Sequence, residues 1–131
     1  AVRRMGGFIA LAAAAPCAAL TDLAGRVVAA LDGFRAPPTE AELARRRKAG
    51  LSPRQDALLI RWGYPYVMEE FRFHMTLTGK LPGDAAEATR SVLAAHFAPY
   101  LSALFIIDSL CLMGEDRGGL FHLVQCHTLS G

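Results

Sequence analysis

The chain has 131 residues and a mass of 14.1 kDa, and its 14 Lys and Arg against 12 Asp and Glu give a formal net charge of +2. This length fits a single domain over residues 1–131 with a core of moderate size, and it disfavours two independent domains. The small net charge excludes a broad nucleic-acid-binding field and leaves only a local anion site.

The cysteine pattern bears on the cellular compartment. Cys17, Cys111 and Cys126 form no C-x-x-C pair and lack the spacing of zinc ligands. An odd number of such cysteines predicts reduced thiols in a cytoplasmic protein, and structural disulfides are the lesser alternative.

The start of the chain, AVRRMGGFIALAAAAPC, allows two interpretations. Two arginines followed by an apolar run and small residues imitate a secretory signal peptide. The run is too short to span a bilayer, which needs about 20 apolar residues, and it is also typical of a buried strand. We favour the strand, at Phe8–Ala13, and expect no membrane association.

Helices are predicted to follow this strand. Pro16 ends the strand, and apolar residues at helical spacing predict a helix over Leu20–Leu31, capped by Thr21 or Asp22. The helix presents one apolar stripe, which is typical of packing against a sheet.

Two further helices are predicted next, and the first of them is polar. Thr39 begins one that ends near Lys48, with acids at its start and bases at its end, as the helix dipole favours. Ser52 begins another that ends at Gly63, and Tyr64–Glu70 is predicted to be a loop or the entry to a strand.

The remaining pattern is a strand, a helix and a hairpin. A strand over Phe71–Lys80 precedes a helix over Asp84–Tyr100, with Pro99 at or past its end. Two β-rich runs, Leu104–Met113 and Leu120–Leu129, are then separated by a glycine-containing loop. This order predicts an α+β fold, with a mainly antiparallel sheet and helices packed on one face.

The stretch FRFHMTLTGK, residues 71–80, carries the clearest chemical signal. As a strand it alternates its side chains between two faces. The apolar face is expected to lie under the helices: Phe71, Phe73, Met75 and Leu77. The polar face is expected to be open to a ligand: Arg72, His74, Thr76 and Thr78. An imidazole moves protons, a hydroxyl donates to a phosphate oxygen and a guanidinium holds negative charge, so this face predicts a phosphate-ester site.

Less specific interpretations remain open. His-x-Thr occurs by chance, and His96, His122 and His127 do not repeat it. No pair of histidines or cysteines has metal-ligand spacing, so neither a metal nor another cofactor is expected. The alternatives are a phosphate-, nucleotide- or RNA-end-binding module without chemistry, and a scaffold in which His74 is incidental.

Two longer segments carry a family resemblance. RWGYPYVMEEFRFHMTLTGKLP (residues 61–82) and FRAPPTEAELARRR (residues 34–47) closely resemble uncharacterised proteins encoded with phosphonate-utilisation genes. Those proteins belong to the two-histidine (2H) phosphoesterase superfamily. The resemblance implies one lobe of a bilobal fold, in which two His-x-Thr/Ser motifs face each other across a groove and cleave or form phosphodiester bonds without a metal.

Carried over to this sequence, the resemblance implies that His74 is a catalytic histidine and Thr76 its phosphate-binding partner, with Arg72 and Tyr66 as substrate-binding neighbours. Because one His-x-Thr is present and the chain opens on Ala1, the chain is expected to be the C-terminal part of a longer protein. The implied partner is a small phosphate ester, a nucleotide or an RNA end. The half-site is expected to be inactive alone, and its uncovered face predicts a tendency to form homodimers.

Overall fold

The computed structural model describes residues 1–101 and 105–130. The chain divides into two compact units, Ala1–Phe97 and Ala98–Gly131. The first residue of the run predicted at Leu104–Met113 lies outside the described residues. None of the helices in the described ranges combines the length and the apolar character that crossing a bilayer requires.

The first unit mixes short strands with helices. Its elements are β1 (Val2–Met5), β2 (Phe8–Ala12), α1 (Ala18–Leu31), α2 (Glu40–Arg47), α3 (Pro53–Trp62), β3 (His74–Thr76) and α4 (Gly83–Phe97). Short 3₁₀ turns occur at Asp32–Phe34 and at Met68–Glu70. All strand pairs in the sheet are antiparallel, which confirms the predicted α+β class.

The sheet has the order β1-β2-β3. β1 and β2 form a hairpin whose turn contains Gly6, with a φ of +59° that glycine adopts without steric cost. The predicted strand at Phe8–Ala13 is therefore confirmed as β2. The residues before it, which imitate the start of a signal peptide, form β1, an element that the sequence did not predict.

Helix α4 covers one face of β1 and β2. Ile9 is fully buried, and Ala86 of α4 keeps 1% of its surface exposed. The pKa of Glu87 on α4 lies below its ordinary value because of its hydrogen bond to Arg90 and, to a smaller extent, the charge of Arg4. Arg4 is the cross-strand partner of Ile9, so both lie on the face that α4 covers.

Helices α2 and α3 begin where the sequence predicts. Thr39 and Glu42 form a reciprocal capping box at the start of α2, and Ser52 and Gln55 form another at the start of α3. Gly63 ends α3 in the left-handed conformation, with a φ of +75°. Local patterns alone determine these boundaries, because each cap depends on residues within one turn.

The predicted cap of the first helix is wrong. Helix α1 begins at Ala18, and Cys17 occupies the N-cap position without a side-chain hydrogen bond. Thr21 lies in the first turn, where its hydroxyl donates to the Cys17 carbonyl at 3.2 Å instead of accepting from the backbone. Asp22 also lies within the helix and forms an ion pair with Arg26 at 3.0 Å.

The strand predicted over Phe71–Lys80 is shorter than expected and spans His74–Thr76. A strand needs a hydrogen-bonded neighbour, and β2 ends at Ala12, directly opposite His74. Residues 71–73 therefore precede the strand, and Arg72 is not part of it. The predicted burial of Met75 is also wrong, because Met75 lies on an edge strand and keeps 40% of its surface exposed.

The second unit contains the predicted hairpin. Its strands are β4 (Ser109–Glu115) and β5 (Phe121–Thr128), paired antiparallel. A 3₁₀ turn at Ala98–Tyr100 precedes them and contains Pro99, as expected after the end of α4.

The loop between β4 and β5 contains Asp116. The pKa of Asp116 lies below its ordinary value because the carboxylate accepts a hydrogen bond from His122 and others from backbone N–H groups, including that of Leu120.

A disulfide joins Cys111 to Cys126 and overturns the prediction that all three thiols are reduced. The two residues are direct partners in the antiparallel register, where side chains on facing strands come within about 5 Å of each other. Cys17 is free and exposed. The spacing rules for metal and redox motifs did not predict this disulfide, because the register of β4 and β5, and not the sequence separation, brings the two cysteines together.

Alkylation tests this assignment. Iodoacetamide under non-reducing, denaturing conditions should add one carbamidomethyl group, at Cys17, because a disulfide sulfur does not react as a thiolate. After reduction the intact mass should show three additions. Three additions without a reductant, in protein purified with its thiols protected from air, would show that the hairpin carries free thiols.

Candidate functional site

His74 is exposed at the start of β3, and its ring has a defined hydrogen bond. Nδ1 lies 2.8 Å from the backbone carbonyl oxygen of Arg72. A carbonyl oxygen only accepts, so Nδ1 carries the proton in this contact. In the neutral ring Nε2 then holds the lone pair that can accept a proton, which makes it the nitrogen available for chemistry.

Thr76 shares the face of His74 because the two residues are separated by one position on the strand. Their Cα atoms are therefore about 6.5 to 7 Å apart. Within the described ranges the Thr76 hydroxyl has no hydrogen-bond partner, and its side chain is exposed. Thr78 differs, because its hydroxyl accepts from the Ile9 amide at 3.0 Å and donates to the Gly79 carbonyl at 2.9 Å.

The sheet beneath these groups is apolar. The Phe8 ring lies 5.7 Å from the His74 ring, measured between centroids. Ala10, on the same face of β2, is fully buried and pairs with Thr76. The imidazole and the hydroxyl thus lie beside apolar side chains on the face opposite Ile9.

Arg72 lines a groove of about 500 Å³ in the first unit. We call it the arginine groove, and the lining residues that define it here are Arg3, Arg4, Arg72, Glu69, Phe71 and Phe73. Neither His74 nor Thr76 lines it, but Ala12, the cross-strand partner of His74, does. The groove therefore begins beside the histidine.

The segment leading to β3 is held against α1. Met68 has a φ of +52°, uncommon for a residue with a side chain. Its sulfur lies so close to Gly25 that a Cβ at that glycine would be 3.3 Å from it. Glu69 follows and pairs with Arg54 at 2.5 Å, so both helices α1 and α3 fix the turn before Arg72.

Tyr66 belongs to a different cluster. Its ring meets Tyr64 edge-on at 5.7 Å, and the Arg46 guanidinium lies 4.7 Å from the centre of the Tyr64 ring. In the described part of the chain no ring contact or hydrogen bond joins Tyr66 to His74. The structure thus brings His74, Thr76 and the groove at Arg72 together, whereas the substrate-binding role of Tyr66 stays a prediction.

Arg3 lies on the face of the site, although the sequence did not point to it. Its position in a segment that imitates a signal peptide gave no sign that it belongs to a strand. The register places Arg3 opposite Ala10, which itself pairs with Thr76, so Arg3 and Thr76 lie on one face of the sheet.

Residues 1–101 and 105–130 contain no cluster of three His, Cys, Asp or Glu able to hold a metal ion.

Residues 1–122 match the family described as "Protein of unknown function (DUF1045)", and the chain belongs to that family. This confirms the predicted membership of an uncharacterised family, while membership of the two-histidine (2H) phosphoesterase superfamily stays a prediction. No solved structure matches the chain.

Two curated relatives share the name "Ribose 1,5-bisphosphate phosphokinase PhnN". The protein from Janthinobacterium sp. (strain Marseille) is 45% identical over 122 residues, covering 90% of this chain and 27% of the relative. The protein from Laribacter hongkongensis (strain HLHK9) is 39% identical over 116 residues, covering 88% of this chain and 26% of the relative. The chain thus spans about a quarter of the length of these relatives.

The tautomers of two histidines provide a test of the site geometry. In His74 the protonated nitrogen of the neutral ring should be Nδ1, because it donates to the Arg72 carbonyl. In His122 it should be Nε2, which lies 2.7 Å from the Asp116 carboxylate. Long-range ¹H–¹⁵N correlation spectra above pH 8 should therefore show opposite tautomers. A His74 ring protonated at Nε2 would contradict the arrangement, and His122 serves as the internal control.

Proposed function

We propose that this chain contributes one His-x-Thr half-site to a metal-independent phosphodiesterase that acts on cyclic phosphodiesters. The observation that carries the proposal is the hydrogen bond from His74 Nδ1 to the Arg72 carbonyl, which leaves Nε2 free on the face that also presents the Thr76 hydroxyl. The resemblance of residues 61–82 to 2H phosphoesterases supports the same assignment.

His74 acts as the proton-transfer group. With Nδ1 donating to a carbonyl, the ring fills one of the two proton-transfer roles through Nε2: the neutral ring accepts a proton from the attacking water, or the protonated ring gives one to the leaving oxygen, and the other role falls to a second group. Histidine suits either role because the neutral imidazole accepts a proton and the imidazolium donates one. Exposure of the ring supports access by a substrate.

Thr76 stabilises charge on the phosphate. Negative charge grows on the non-bridging oxygens as the nucleophile adds, and a positioned hydroxyl donor lowers the energy of that state. The absence of a hydrogen-bond partner for this hydroxyl within the described ranges supports its availability. Thr78 is a poorer candidate because its hydroxyl already bonds to the backbone.

The mechanism needs a second proton-transfer group to act on the other side of the phosphorus. We assign it to a second His-x-Thr/Ser motif in another region of a longer protein, as the resemblance implies. The relatives, of which this chain spans about a quarter, support a longer context. The complete enzyme is therefore the larger protein, and this chain alone is expected to be silent.

The metabolic setting we propose is phosphonate utilisation. The resemblance points to proteins encoded with phosphonate-utilisation genes, and two relatives are named for a kinase of ribose 1,5-bisphosphate. A cyclic phosphodiester formed on a phosphorylated sugar is a substrate class that fits both indications.

Substitution of the histidine tests the proposal in the longer protein. His74→Ala should lower turnover of a nucleoside 2′,3′-cyclic phosphate by at least about a hundredfold, as loss of a general acid or base does. Thr76→Val should lower kcat by a smaller factor with little change in KM, since the hydroxyl acts on the transition state. Liberated phosphomonoester, quantified by ³¹P NMR, is the readout.

Two controls accompany these variants. His127→Ala removes an exposed histidine of the second unit and should leave turnover at the wild-type level. A chelator should not change the wild-type rate. Full activity in His74→Ala would exclude the assigned role, and chelator-sensitive activity in the wild type would contradict the metal-independent mechanism. Substrate binding without any turnover would favour the non-catalytic binding module.

A further inference from the structure

We propose that the arginine groove binds a second phosphate group of the substrate, a phosphomonoester carried on the same sugar as the phosphodiester. The proposal rests on the proposed function, because it makes the groove an extension of the site at His74. It assigns a binding role to Arg3 and narrows the substrate class to sugar phosphodiesters with an additional terminal phosphate.

The charge of the groove supports an anionic ligand. Three arginines and one glutamate are the charged residues of its lining. Glu69 is already paired with Arg54, so its charge is partly offset. The Arg72 guanidinium has no ion pair or hydrogen bond to another residue of the described ranges, and Arg3 donates to the Ala14 carbonyl and to no carboxylate there. The Arg3 and Arg72 guanidinium groups thus line the groove without an ion pair to a carboxylate of the described ranges.

The register sets the distance between the two phosphate positions. Ala12 lines the groove and is the direct partner of His74, so the Cα atoms of these two residues are about 5 Å apart. Arg3 and Thr76 share one face two strands apart, with backbones separated by about 10 Å. A single sugar ring with phosphates on two of its carbons can bridge such a separation.

The groove is suited to a small molecule in size and composition. Its volume of about 500 Å³ lies within the range of small-molecule sites. Phe71 and Phe73 supply apolar walls for the carbon skeleton of a sugar, and arginine supplies the paired donors that match a phosphate. A dianionic phosphomonoester gains more from these guanidinium groups than a monoanionic diester does.

Binding of ribose 5-phosphate to the 131-residue chain tests the groove without requiring turnover. Titration followed by NMR, through backbone amides and the arginine Nε–H signals, should show ribose 5-phosphate binding with shifts at Arg3 and Arg72. Unphosphorylated ribose should bind at least about tenfold more weakly, since charge-assisted hydrogen bonds would be lost. Arg72→Gln and Arg3→Gln should each weaken ribose 5-phosphate binding by a similar factor.

Two further variants test whether ribose 5-phosphate binding follows the charge of the groove. Glu69→Gln removes the carboxylate that lines the groove and should tighten ribose 5-phosphate binding, because a negative charge near the phosphate disappears. Arg26→Gln removes an arginine of α1 that pairs with Asp22 at 3.0 Å outside the groove lining, and should bind like the wild type. Circular dichroism confirms that each variant is folded.

The outcomes separate this inference from the proposed function. Equal affinity for ribose and ribose 5-phosphate, or wild-type affinity in folded Arg72→Gln and Arg3→Gln, would overturn the groove assignment even if turnover depends on His74. Arginine-dependent binding of ribose 5-phosphate supports the groove, and it does so even if the longer protein shows no His74-dependent turnover, a result that would remove only the proposed function.

Discussion

The pairing of β3 with β2 is the constraint on which the site depends. Three residues of β3 pair with residues of β2, and this short antiparallel ladder orients both His74 and Thr76 toward one face. Where the ladder ends, the chain turns so that the Arg72 carbonyl meets the His74 ring. The same backbone geometry therefore presents the imidazole and selects its tautomer, without help from a second side chain.

The two faces of the sheet have different roles. Helix α4 packs on the Ile9 face, so the burial of Ile9 and Ala86 stabilises the sheet from one side. The opposite face presents the histidine and the threonine, and the groove begins beside them at Ala12. Packing of a helix on one side suits a sheet to hold catalytic groups on the other, because packed elements restrict the movement of the groups that they carry. Arg3 links the two regions, since β1 brings it to the face of Thr76.

Local patterns predicted those parts of the fold that depend on local interactions. The capping boxes at Thr39 and Ser52 could be predicted because each involves residues only three positions apart. The alternation that puts His74 and Thr76 on one face needs only a strand of three residues. In both cases the sequence contains the whole cause, so no tertiary contact had to be known.

Features that depend on distant partners could not be predicted from one sequence. Arg72 was expected within the strand, but strand length is set by where β2 ends, and that limit lies about sixty residues away along the chain. The disulfide between Cys111 and Cys126 follows from the register of the hairpin. The arginine groove joins β1, the start of α1 and the residues before β3, and no local pattern relates those segments.

The central claim is that His74 Nε2 and the Thr76 hydroxyl act on one phosphate. Its most direct test is a crystal structure of the longer protein with orthovanadate, which imitates the five-coordinate phosphorus of the reaction. We expect Nε2 of His74 and Oγ1 of Thr76 each within about 2.6 to 3.2 Å of a vanadate oxygen, and Nδ1 still bonded to the Arg72 carbonyl. Vanadate bound away from both residues, or contacted by Nδ1 of His74, would contradict it.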